Sequence, residues 1–79
     1  LYMTALKISL NSIDKVKSFV NTIAQFDAEF DLVSGRYVID AKSIMGIFSL
    51  DISQPIDLHI YAESGLDDIL AAIKPYIAE

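Results

Sequence analysis

The chain has 79 residues, room for one domain built around one core. Its hydrophobic fraction is 53% and its mean hydropathy +0.42, yet no apolar run approaches the roughly 18 residues that span a bilayer. A net charge of −5 argues against nucleic acid and anionic membrane surfaces as partners, and zero cysteines exclude a disulfide framework and a thiolate metal site. The first residues lack the basic start and unbroken apolar core of a signal peptide. With no cysteine to suggest an oxidising compartment, the expected location is cytoplasmic. Leu1 and Tyr2, ahead of Met3, carry no weight, and the domain is taken as residues 3–79.

Thr4 to Leu10 alternates, with Leu6, Ile8 and Leu10 on one side and Ala5, Lys7 and Ser9 on the other, which predicts a half-buried strand. Asn11 and Ser12 break the pattern, and either can cap a helix. From Ile13 the apolar positions Ile13, Val16, Phe19, Val20, Ile23 and Ala24 recur at steps of three and four, an amphipathic helix of about three and a half turns. Glu29 to Val33 alternates again with Phe30 and Leu32 inward. Ser34-Gly35 then signals a tight turn, so Tyr37 to Ala41 should pair back as a hairpin with Tyr37, Ile39 and Ala41 facing the core.

Ser43 can cap a short helix running to Leu50, in which Ile44, Met45, Ile47, Phe48 and Leu50 crowd nearly every face. Two turns cannot bury all of them against one small core, so part of this cluster should stay at the surface, where an exposed apolar group marks a contact site. Gly46, a glycine in mid-helix, suggests an element kept for its surface. Asp51 to Pro55 reads as a loop, because proline cannot donate to a strand ladder and suits a strand start. Ile56, Leu58, Ile60 and Ala62 then alternate with Asp57, His59 and Tyr61. Ser64 and Asp67 have capping-box spacing at the start of the last helix, whose apolar face is Leu66, Ile69, Leu70, Ile73, Tyr76 and Ile77. Pro75 should distort its final turn.

The element order is strand, helix, strand, strand, short helix, strand, helix. With four strands and helices confined to one face, the expected fold is an α+β open-faced β-sandwich, a four-stranded antiparallel sheet under three helices. Lys7, Glu29, Asp31, Asp57, His59 and Tyr61 fall on the outer sheet face. The acidic residues show no metal-loop spacing, no nucleophile–base arrangement or phosphate loop is present, and neither metal nor cofactor is expected.

This order, together with Lys42-Ser43-Ile44-Met45-Gly46-Ile47-Phe48-Ser49-Leu50, resembles the HPr family, the small phosphocarriers of the bacterial sugar phosphotransferase system. Phe26-Asp27 after the first helix, Ala41-Lys42-Ser43 before the second and Ile60-Tyr61-Ala62-Glu63 at the last strand support the resemblance, which runs from about Val20 to Tyr76. It implies a βαββαβα fold and protein partners of the phosphotransferase or catabolite-control type. It also implies that Ser43 is the serine a dedicated kinase phosphorylates in many Gram-positive members, with Lys42, Ile44, Met45 and Phe48 as a docking patch. The family's transfer site is a Gly-(Leu or Ile)-His-x-Arg-Pro run. Carried over without gaps from Phe26-Asp27, its histidine falls on Ser12, its arginine on Asp14 and its proline on Lys15. The expectation is therefore a non-enzymatic regulatory or docking module working through Ser43, as in the catabolite-repression branch that lacks the histidine. The alternative is a degenerate domain serving as a structural or homodimeric subunit.

Overall fold

The computed structural model describes residues 3–78; the domain limit expected at Glu79, like Leu1 and Tyr2, lies outside them. The elements are β1 (Met3–Ile8), α1 (Ile13–Ile23), β2 (Glu29–Ser34), β3 (Tyr37–Asp40), α2 (Ile44–Phe48), β4 (Ile56–Tyr61) and α3 (Leu66–Ile73), with a closing 3-10 turn over Lys74–Tyr76. The strands form one antiparallel sheet in the order β1-β4-β2-β3, which is the expected open-faced α+β sandwich.

Pairing register lays out the inner face in rows. Leu6, Leu58, Leu32 and Ile39 stand side by side across all four strands, flanked by Ile8 against Ile56 and by Ile60 against Phe30. Because side chains alternate with period two, a slip of one residue anywhere would turn these rows to water. Onto them pack Val16, Phe19, Val20 and Ile23 of α1, Ile47 of α2, and Ile69 and Ile73 of α3, all buried. No charged or polar side chain is buried among the described residues.

Six expectations need correction. β1 ends at Ile8 rather than Leu10, because its pairing partner runs out: Ile8 faces Ile56, and the preceding Pro55 has no N–H to extend the ladder. Leu10 is buried all the same. Ile13, expected on the core stripe of α1, is 60% exposed at the first helical position. Ala24 is exposed beyond the other end of α1. Tyr37 is 65% exposed, since it faces Ser34 at the tip of the hairpin, past the layer of helices. The capping box at Ser64 does not form. Gly65 is the N-cap of α3 at φ 74°, with no side-chain cap bond. Ile77, expected on the apolar face of α3, is exposed.

The last helix does end ahead of Pro75, and the 3-10 turn that contains the proline has a structural use. It tucks Tyr76 onto Phe19, ring edge to face at 5.4 Å, with the phenol hydroxyl hydrogen-bonded to Ser18 of α1. The chain then crosses to β1. Ser9 N–H donates to Tyr76 O (2.8 Å), Ala78 N–H donates to Lys7 O (2.9 Å), and Ile77 bridges Ile8. The C-terminal residues thus cover the outer edge of β1 from Lys7 onward.

Tyr76 is expected to behave as a two-part anchor. Urea unfolding should show Tyr76→Phe losing about 1 kcal/mol, the worth of one hydrogen bond. Tyr76→Ala should lose about 3 kcal/mol or more, because it also empties the space beside Phe19.

Candidate functional site

α2 is where the sequence placed its candidate residues, and the structure separates them by role. Ser43 is the N-cap, with extended backbone and an exposed side chain whose Oγ accepts from Gly46 N–H (3.1 Å). Within the helix, Ile44 and Ile47 lie three residues apart on the core side, Ile47 fully buried and Ile44 partly buried against the core. Met45 and Phe48, also three apart, lie on the opposite side, 80% and 39% exposed. The crowded helix therefore resolves into a core stripe and a surface stripe. The surface stripe starts two residues after Ser43.

Gly46 has a packing reason that the sequence did not disclose. A Cβ there would come within 3.2 Å of Ser43 Oγ and 3.3 Å of Ile39 Cδ1, so the missing side chain lets α2 lie close on β3 while the cap bond forms. Lys42 is likewise committed. Its ammonium donates to Phe26 O (3.0 Å) and lies 5.6 Å above the Phe30 ring, while its N–H donates to Asp40 Oδ1 (2.9 Å). Lys42 thereby ties the entry of α2 to the chain leaving α1, and its charge is engaged there.

Ser12 stands at the other end of α1, a helix of 11 residues and hence roughly 16 Å long. It is the N-cap, and its Oγ accepts from Lys15 N–H (3.1 Å). Asp14 lies in the first turn, where the positive helix end favours a carboxylate. The chain's one histidine, His59, is in mid-β4 between Ala5 and Asp31, on the outer face of the sheet, with the helices packed on the inner face. The structure does not bring Ser12, His59 and Ser43 together.

A feature that periodicity could not show is an open hollow of about 860 Å³ at one end of the sheet. Asp27, Glu29, Asp31, Asp40 and Glu63 line it alongside the tethered Lys42. Among the described residues no three His, Asp or Glu side chains converge as a metal site requires. Beyond α2, Asp51 holds a small turn: its Oδ1 accepts from Ser53 Oγ (2.5 Å) and Ser53 N–H (3.1 Å). The hydroxyl bond, then the backbone bond, keep its carboxyl below the ordinary value.

The class defined so far is a small α+β open-faced sandwich whose exposed apolar side chains include a pair on a short, serine-capped helix. The chain belongs to the HPr family: residues 15–79 match the family described as "PTS-HPr: PTS HPr component phosphorylation site". The matched span contains Lys42 to Phe48 and begins just after Ser12 and Asp14. The chain is also similar to HPr-C-His from Thermoanaerobacter tengcongensis, a crystal structure with 25% identity and a TM-score of 0.70, covering 98% of this chain and 91% of that one. No curated protein matches. Family membership implies protein partners within the phosphotransferase system. Among the described residues no helix is long and apolar enough to cross a membrane.

Two outcomes follow. Ser43→Ala should cost about 1 kcal/mol in urea unfolding, whereas Ser43→Asp, which can still accept from Gly46 N–H, should stay within a few tenths. Ser53→Ala should raise the Asp51 pKa part of the way towards its ordinary value in an NMR titration, since the backbone N–H at position 53 still donates to the carboxylate. The sign follows from the depressed folded pKa: the Asp51 contribution is present above the unfolded value and is lost as pH falls through the folded one.

Proposed function

We propose that this chain is a non-catalytic regulatory or docking module of the phosphotransferase system, acting through the Ser43 helix rather than as a histidine phosphocarrier. One observation carries the reading. The exposed Ser43 side chain caps a helix that turns Met45 and Phe48 to solvent, inside the span that matches the family. A phosphoryl group on Ser43 Oγ would bring acceptor oxygens to the Gly46 N–H that the hydroxyl now satisfies, beside an apolar pair suited to a protein partner.

The start of α1 supports the negative half of the proposal. Phosphoryl transfer needs an imidazole poised at the helix end with cationic help for the phosphate. Here Ser12 and Asp14 occupy that end. A serine hydroxyl with no base beside it is a poor nucleophile near neutral pH, and the Asp14 carboxylate repels an incoming anion. His59 is kept from that helix end by the thickness of the sheet. The same lack of a reactive group supports reading the chain as something other than an enzyme, working beside cytoplasmic partners.

Two incubations test the proposal. With ATP and a serine kinase of the HPr-directed type, label should appear on wild-type protein and vanish in Ser43→Ala. With phosphoenolpyruvate and the first enzyme of the system, no acid-labile label should appear. Failure of the first, or acid-labile label in the second, overturns the reading. Met45→Lys should weaken partner capture about tenfold, as loss of an apolar anchor does, with an unchanged unfolding midpoint.

A further inference from the structure

The two edges of the sheet are treated differently. β1 is covered at its C-terminal end by the C-terminal residues, through the Ile8–Ile77 bridge and the bonds at Ser9 and Lys7. β3, at the other end of the order β1-β4-β2-β3, has no second strand beside it among the described residues. Although it is only four residues long, Tyr37–Asp40 contains no lysine and no proline, two of the devices that blunt an edge. Its Tyr37 and Val38 are both exposed large apolar residues, on opposite faces of the sheet.

The hairpin fixes which backbone groups point to the free side. Ser34 pairs with Tyr37 across the turn, and Ala41 N–H donates to Phe30 O (2.9 Å). In an antiparallel ladder such pairs alternate, so Tyr37, Ile39 and Ala41 spend their groups on β2. Val38 and Asp40 therefore aim theirs away from the sheet. The Asp40 carbonyl already accepts from Ser43 N–H (3.0 Å), and Arg36 follows Gly35 in the turn beside them.

From this edge we infer that a second copy of the chain docks on β3, the two β3 strands running antiparallel about a two-fold axis at Val38 and joining two sheets into one. The alternation allows only outward residues to meet outward residues. The register with the greatest overlap then sets Val38 opposite Val38 of the second copy, Tyr37 opposite its Ile39, and brings the turn residue Arg36 beside its Asp40. The segment Arg36-Tyr37-Val38-Ile39-Asp40 is self-complementary in that register: a cation at one end, an anion at the other, three apolar residues between. The outer face gains two Arg–Asp pairs around a Val–Val pair, and the inner face gains two Tyr–Ile pairs. A shift of two residues loses both ion pairs, and a parallel arrangement sets like charges side by side. Self-complementarity of one patch is what a two-fold interface requires. The contact is narrow, so the dimer is a weak one whose population depends on concentration.

The absence of cysteine makes the test direct. In the inferred pair the two Val38 Cα atoms stand about 5.5 Å apart, within the span of a disulfide. Under mild oxidation Val38→Cys should cross-link at least about tenfold faster than Lys17→Cys, an exposed position on α1, because paired strands hold the thiols together. Sedimentation equilibrium should show self-association that Val38→Pro abolishes, since the N–H it deletes is not used by β2. Arg36→Glu should weaken it about tenfold by facing two carboxylates with two more, while Arg36→Lys retains it. Unfolding midpoints establish that each variant is folded. Equal cross-linking rates, a monomer at every concentration up to about 1 mM, or a dimer indifferent to both Val38→Pro and Arg36→Glu overturns the inference. So does a dimer abolished by Met45→Lys, which would move the contact to α2 and leave the α2 docking proposal standing.

Discussion

Everything in this fold hangs on the period-two geometry of β4. It is hydrogen-bonded on both sides, to β1 and β2, and sends Ile56, Leu58 and Ile60 inward while Asp57, His59 and Tyr61 face out. Leu58 lies at the centre of the row from Leu6 to Ile39, so the register of β4 decides where α1 and α3 find apolar surface. The same geometry puts His59 and its carboxylate neighbours on the uncovered face. Much of the net negative charge therefore collects on one side of a thin sandwich, which suits water and repels polyanions.

The helix α2 shows how much a short element can carry when its neighbours position it. Five residues supply a buried Ile47, a half-buried Ile44 and the exposed Met45 and Phe48. Lys42 fixes the approach from the end of α1, Ser43 closes the first turn, and Gly46 allows contact with Ile39. None of these contributions is large alone. Together they hold a surface stripe in a fixed orientation, which a docking role needs because ordering a loose segment would subtract from binding.

Edge management completes the picture. A chain of this length cannot enclose its sheet, so each edge is either covered or left available. The turn at Pro75 sends the C-terminal residues across β1 and anchors them through Tyr76. The hairpin at Gly35, with φ 60° at the position a type II′ turn gives to glycine, leaves β3 short, apolar and open.

The alternating runs and the three-and-four spacing were enough to define the element order, the inward faces of β2 and β4 and the core stripe of α1, because each depends on a local repeat. Ser43 as a cap and an overcrowded α2 were legible for the same reason. Residues at the ends of elements were not, because their surroundings come from distant parts of the chain. Ile13 and Tyr37 project past the layers that would have covered them, β1 stops where Pro55 has no N–H to give, and Gly65 rather than Ser64 begins α3. The sequence by itself determined the layers and named α2 as the element with apolar surface to spare. Only tertiary packing decided which of its side chains face solvent, committed Lys42 to Phe26, covered the end of one sheet edge and left the other open, because those outcomes depend on which segments meet in space.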